Sequence, residues 1–168
     1  MTVTDFIQGP LVSEIKAMTI KEKGTHAYLG FSLICGGIEF LGACLDKYSW
    51  EKKGLSEKRF RLAINQLFPE KYKDYNTRGN EYDIYSNVRC SLVHSLRPGN
   101  KIGLSERYHE GNQKWHLKIS NGNLIIIYED LLDDFIAACK KVQRKIEVHE
   151  IKSEKVYGHV ISTPQDYE

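Results

Sequence analysis

Arg89 and His94 stand five positions apart in the run Asn87-Val88-Arg89-Cys90-Ser91-Leu92-Val93-His94-Ser95-Leu96, which stops at Pro98-Gly99. Arginine is a permanent cation that forks onto phosphate, and histidine moves protons near neutral pH. RNA carries its own nucleophile, the 2′-hydroxyl. A histidine can take that proton, or return one to the departing 5′-oxygen. A guanidinium can stabilise the extra negative charge of the phosphorane-like transition state. The products would be a 2′,3′-cyclic phosphate and a 5′-hydroxyl, with no metal and no cofactor. The same two residues would equally serve as an ion-pair partner and a satisfied histidine at the edge of a core.

Helix geometry separates the pair. Five residues along an ideal helix amount to about 140° of rotation and about 7.5 Å of rise. One arginine must curl round, the helix must bend, or a second subunit must complete the site. The spacing recurs at Arg144 and His149, beside Glu147 and Glu150. That second match lies late in a charged helix and reads as chance. Arg89 is set apart by its apolar helix, where a charged residue needs a partner or a purpose.

The elements that position these residues follow from periodicity. Leu11, Val12, Ile15 and Met18 predict a short helix after Pro10, stopped at Gly24. Thr25 would cap a long helix to about Lys47. Leu29, Leu33, Phe40 and Cys44 form one apolar stripe on it, and Phe31, Ile34, Ile38, Leu41 and Leu45 another, so it should be central. Tyr28 to Leu45 is apolar enough to raise the question of a membrane span. Glu39 near its middle would be expensive in lipid, and Gly30, Gly36, Gly37 and Gly42 fit close helix packing. A buried core helix is expected. Its polar residues Ser32, Glu39 and Asp46 are spaced by seven and share one stripe, facing either solvent or a cleft.

Ser56 opens a third helix, with Phe60, Ala63, Ile64 and Leu67 inward and Pro69 beyond it. Basic residues interleave with Trp50, Phe60, Phe68, Tyr72 and Tyr75 across this region. Lys52, Lys53, Arg59 and Arg61 are the candidate RNA contacts, since single strands favour such mixtures. The alternative is a solvated face with core aromatics behind it. A fourth helix, about Tyr82 to Leu96, carries Arg89 and His94. The period then changes. Lys101 to Tyr108, the alternating run at Trp115, Leu117 and Ile119, and Leu124 to Tyr128 predict a three-stranded antiparallel meander, with Asn121-Gly122 as a hairpin turn. A last helix, about Glu129 to Ile151, has Leu132, Phe135, Ile136, Cys139, Val142 and Ile146 inward, acids first and bases last.

Composition bounds the function. The chain has 168 residues, 41% hydrophobic, with a formal net charge of +2. That suits one domain with a real core and excludes a strongly basic coat for nucleic acid. Cys35, Cys44, Cys90 and Cys139 sit among apolar neighbours without a Cys-x-x-Cys pair, as expected of reduced thiols in a cytoplasmic protein. The N-terminus does not read as a signal peptide. His109, Glu110 and His116 could ligate zinc but make no closed set, so no metal is expected. Gly36-Gly37 lies inside a helix and is no phosphate loop.

The segment Arg89 to His94 resembles the Arg-x4–6-His motif of the HEPN-domain superfamily, helical-bundle ribonucleases and nucleotide-binding proteins. The resemblance covers roughly residues 10–97 and 129–151. The position after the arginine, often Asn in the family, is Cys90 here. The resemblance implies a mostly helical α+β domain over 1–151, a HEPN-like bundle of about five helices with the β-insert at 101–128, and a polar tail over 152–168. It implies a dimer whose Arg and His line a shared cleft, with Glu39 as the acidic residue from an earlier helix. Two functions are open. One is a metal-independent endoribonuclease of the toxin or phage-defence type, with Arg89, His94 and Glu39 catalytic and RNA, a second copy and an antitoxin or other protein as partners. The other is a non-catalytic HEPN-like module that binds a protein or a nucleotide.

Overall fold

The computed structural model describes residues 1–19, 27–107, 114–151 and 154–158. It is mostly helical, with one small sheet, an α+β arrangement. Helix α1, Val3–Phe6, runs through a π-helical turn, Ile7–Leu11, into α2, Val12–Thr19. Gly24 and Thr25, expected to stop one helix and cap the next, lie outside the described residues. Helix α3, Ala27–Leu45, is the central element. It packs on α4, Ser56–Leu67, and on α6, Tyr128–Glu147. Phe31, Ile34, Ile38 and Leu41 are buried along it. Its length and apolarity would suffice to cross a membrane, but more than half of it is buried inside the fold.

Two details of α3 differ from expectation. Leu29 and Leu33 are exposed, so one face of the helix is uncovered. The polar stripe does not face water either: Asp46 is buried and Glu39 is half-buried. Gly42 is where α3 crosses α4, and a Cβ there would overlap the Arg59 carbonyl oxygen. Gly36, expected to serve packing in the same way, would place a Cβ in open space.

Helix α4 buries Phe60, Ala63, Ile64 and Leu67, and α6 buries Leu132, Phe135, Cys139, Val142 and Ile146, both on the expected stripes. A 3-10 segment, Glu70–Tyr75, brings the buried Tyr72 against α6. The helix carrying Arg89 is not uniform. Tyr85–Cys90 is π-helical, and only Ser91–Ser95, α5, is α-helical. Asp83 begins this piece. Its carboxylate accepts the Tyr85 amide and the Ser86 hydroxyl, and takes both forks of Arg61 at 3.0 and 2.7 Å. Leu96 ends it in the left-handed region, φ 55°, where glycine is the usual residue.

The sheet corrects the expected meander. Its strands are β1, Ile102–Ser105, β2, Lys118–Ser120, and β3, Asn123–Ile127, in the order β1-β3-β2. β2 and β3 form the antiparallel hairpin, with Asn121 and Gly122 both at positive φ as a type I′ turn demands. β1 pairs with β3 in parallel, Ile102 opposite Leu124. The hairpin occupies one edge of β3, so β1 takes the other. Tyr108, the last residue expected in this strand, falls outside the described residues.

Candidate functional site

Arg89 leaves the π-helical turn towards α3 and meets Glu39, Nη2 to Oε2 at 2.7 Å. The same oxygen accepts the Ser56 hydroxyl at 2.7 Å, and the Tyr85 hydroxyl donates to Ser56 Oγ at 3.1 Å. Ser56 therefore does not cap its own helix; it reaches across and fixes Glu39. Three elements converge on one ion pair. The Tyr85 ring lies 5.8 Å from the guanidinium carbon. Burial works against the Arg89 cation, the Glu39 carboxylate outweighs it, and the guanidinium is held above its usual value. Arg89 is thus a fixed cation with its side chain 20% exposed. Its Nε–H is buried and has no acceptor.

An open cavity of about 350 Å³ lies against this pair. Glu39, Arg89, Gly36, Ala43, Phe40, Trp50 and Arg59 line it. Phe40 and Trp50 stack at 5.3 Å between ring centroids, 13° from parallel. The Trp50 indole N–H is the second buried donor here without an acceptor. Gly36 keeps the floor bare. A glycine inside a helix costs about 1 kcal/mol relative to alanine, and no neighbouring atom forces one at this position.

The loop that presents Trp50 is held by buried charge. Arg59 donates Nε to Asp46 at 2.7 Å, Nη1 to the Trp50 carbonyl at 3.2 Å and Nη2 to the Ser49 carbonyl at 2.7 Å. Lys155, from a short 3-10 turn at Glu154–Val156, donates to Asp46 Oδ1 and to the Tyr48 carbonyl, both at 2.6 Å, and sits 4.8 Å over the Trp50 ring. Burial opposes the Asp46 charge, and Arg59 and Lys155 overcome it, so the carboxyl stays below its usual range. Each of the three Arg59 nitrogens is thereby engaged.

The predicted residues are now placed. Arg89 and Glu39 come together. His94 does not join them: it stands exposed on α5 and does not line the cavity. Only the first step from Arg89 lies in the π-helical stretch, so the two residues keep to different faces. Lys52 and Lys53 are exposed in the turn before α4, as an RNA contact requires. Arg59 and Arg61 are corrections. Arg59 is buried and builds the cavity wall, and Arg61 is held by Asp83 and by Glu57 at 2.9 Å. Neither offers a free guanidinium to a phosphate.

His116 also differs from the exposed hairpin histidine expected. It is buried, with 7% of its side chain exposed. Its Nδ1 accepts the Ile127 amide at 3.1 Å, which leaves the proton on Nε2. Nε2–H then meets the Tyr72 hydroxyl at 2.8 Å, which donates to Asp134 at 2.9 Å. Asp134 pairs with Lys71 at 2.9 Å. Burial above all, then Lys71, pushes the imidazole down to about 4. Both ring nitrogens are engaged and cannot ligate a metal as they stand. His109 and Glu110 lie outside the described residues, and no cluster of three metal-ligating side chains occurs among those described.

No family model matches the chain, and neither the curated proteins nor the solved structures contain a significant match to it.

No local signal in the chain joins Trp50, Phe40, Asp46 and Lys155 as one assembly. Asp46 stood out only as the third member of a polar stripe. Gly36 had a usable signal, since a glycine in the middle of a strong helix calls for a reason.

Proposed function

We propose that the chain is a HEPN-like, metal-independent endoribonuclease of the toxin or defence type, acting as a homodimer. The observation that carries the proposal is Arg89: a fixed cation lining an open cavity, with its side chain still 20% exposed. His94 supports it as an exposed imidazole on the continuation of the same helix. In the reaction, His94 takes the proton of the 2′-hydroxyl as that oxygen attacks phosphorus, and the imidazolium so formed returns a proton to the 5′-oxygen as the P–O5′ bond breaks. Arg89 meets the charge gathering on the phosphoryl oxygens. Glu39 touches Arg89 and not the substrate in this arrangement, so its role is to position the guanidinium.

One chain does not aim Arg89 and His94 at a common point, so the proposal needs a second copy. Exposed apolar side chains suit that need. Leu29 and Leu33 on α3, Val93 on α5 and Leu96 beyond it are all exposed, Leu96 by 72%, and α3 and α5 are in contact. Exposed large apolar side chains mark interfaces where they adjoin. Two α5 helices meeting there would bring two His94 side chains and two Arg89 side chains to one cleft.

A specific observation favours the rival reading. Arg89 already has a carboxylate partner within its own subunit, as in a non-catalytic module binding a protein or nucleotide. Incubation with RNA in EDTA separates the two. The wild-type chain is expected to leave cyclic-phosphate ends and His94→Ala to leave RNA intact. Cleavage that persists in His94→Ala, or none by wild type on several RNAs, refutes the nuclease.

A further inference from the structure

The pair between Arg89 and Glu39 is half-made. Arg89 gives Glu39 one hydrogen bond, Nη2 to Oε2, and Ser56 donates to that same oxygen. Glu39 Oε1 accepts nothing among the described residues, while the Arg89 Nε–H is buried without an acceptor. An arginine and a carboxylate that meet often close a fork of two parallel bonds, which is the stronger arrangement. The fold makes such a fork elsewhere: Asp83 takes Nη1 and Nη2 of Arg61 on its two oxygens, at 3.0 and 2.7 Å. Asp46 also commits both oxygens, one to Arg59 and one to Lys155. Of these three carboxylates, Glu39 alone leaves an oxygen idle while its arginine keeps an idle N–H.

Ser56 accounts for the exception. Its oxygen accepts the Tyr85 hydroxyl at 3.1 Å, so its single proton is directed at Glu39 Oε2, at 2.7 Å. Turning Oε1 onto the guanidinium would break that bond. Tyr85 is itself clamped. Asp83 accepts its amide at 3.2 Å, and its ring lies 5.5 Å from the Phe60 ring and 5.5 Å from the Arg61 guanidinium carbon. Tyr85 and Arg89 share the π-helical turn, a deviation that often marks functional sites. The result is a fixed arginine whose Nη1 is neither buried nor bonded among the described residues.

We infer that Ser56, set by the Tyr85 hydroxyl, is a positioning residue: it holds Glu39 to a single nitrogen of Arg89 and so keeps Nη1 for the phosphoryl group. The inference rests on the proposed ribonuclease. A closed fork would turn both carboxylate oxygens onto the cation that the transition state needs and would draw the guanidinium aside. A misplacement of about 1 Å in such a group can cost on the order of a hundredfold in rate.

The test takes Ser56→Ala, Ser56→Thr and Tyr85→Phe in the full chain, each assayed where circular dichroism shows it folded. Ser56→Ala should lower kcat for RNA cleavage by about tenfold or more and change KM by less than about twofold, because the lost interaction belongs to the transition state. Ser56→Thr keeps the hydroxyl and should restore most of the rate, with Tyr85→Phe between the two. In a Glu39→Ala background Ser56→Ala should change nothing further, since Ser56 acts through that carboxylate. A merely structural serine would cost the same in both backgrounds. Crystal structures should show one bond between guanidinium and carboxylate in wild type and two in Ser56→Ala. An unchanged kcat in Ser56→Ala, an equal loss in the Glu39→Ala background, or a fork that stays open without Ser56 overturns the role. If wild type cleaves no RNA, the nuclease falls and the crystal structures alone decide Ser56: a fork closed in Ser56→Ala upholds its hold on the pair, and an open one refutes it.

Discussion

His116 makes the fold sensitive to acid in a way that can be measured. The imidazole titrates near 6.5 in an unfolded chain and is pushed down to about 4 in the folded one. Protonation would place a hydrogen on Nδ1, where the Ile127 amide already donates. Two donors would then face each other at the junction of β3 and α6. Below pH 6.5 the unfolded chain therefore takes up a proton that the folded chain refuses. The stability that depends on a neutral His116 is complete above pH 6.5 and declines as pH falls towards 4. Between pH 7 and pH 5 the loss is about 2 kcal/mol, and by pH 4 about 3 kcal/mol. For a chain of this length, 2 kcal/mol is roughly 4 to 8 °C in melting temperature. His116→Gln retains an amide able to donate to Tyr72 and removes the titration. Urea unfolding of both proteins at pH 7 and pH 5 isolates the effect, because other titrating groups are common to the two. Wild type should lose about 2 kcal/mol more than the variant across that interval. Equal losses, or an NMR titration that finds His116 protonating near 6.5, would refute the arrangement described.

Asp46→Ala should destabilise by about 3 to 5 kcal/mol, because Arg59 and Lys155 would remain buried without their carboxylate; chemical denaturation reads this directly. Lys52→Ala, in the exposed turn nearby, should stay within about 0.5 kcal/mol of wild type in the same assay. Gly42→Ala is expected to lower the melting temperature sharply, since its Cβ meets the Arg59 carbonyl, whereas Gly36→Ala should be neutral or stabilising by up to about 1 kcal/mol. A reversed order of those two variants would contradict the crossing of α3 over α4. If Arg89 is catalytic, Glu39→Gln should reduce the rate of RNA cleavage by about tenfold or more through loss of positioning, and an unchanged rate would remove Glu39 from the site.

The stripes of α4 and α6 and the Asn121-Gly122 hairpin were legible because each is dictated by residues close in sequence. The parallel placement of β1 was not, since an apolar run carries no local signature of the direction in which it pairs. Charge in an apolar helix singled out both Arg89 and Glu39, although fifty residues separate them. Their meeting through Ser56 needed the packing of three elements. Arg59 and Lys52 carry the same charge in one basic stretch, yet one is buried and the other exposed. Only the position of Asp46, at the end of a different helix, decides that. The uncovered Leu29 and Leu33 read as core for a simple reason: hydrophobicity reports a wish for burial and not whether this chain or a second one supplies it.

Lys155 lies more than a hundred residues after the loop that it holds. A growing chain makes Asp46, Trp50 and Arg59 about a hundred residues before Lys155. During synthesis the aromatic wall must therefore stand on Arg59 alone. The cavity gains its final shape only when the 154–158 turn has left the ribosome and docked.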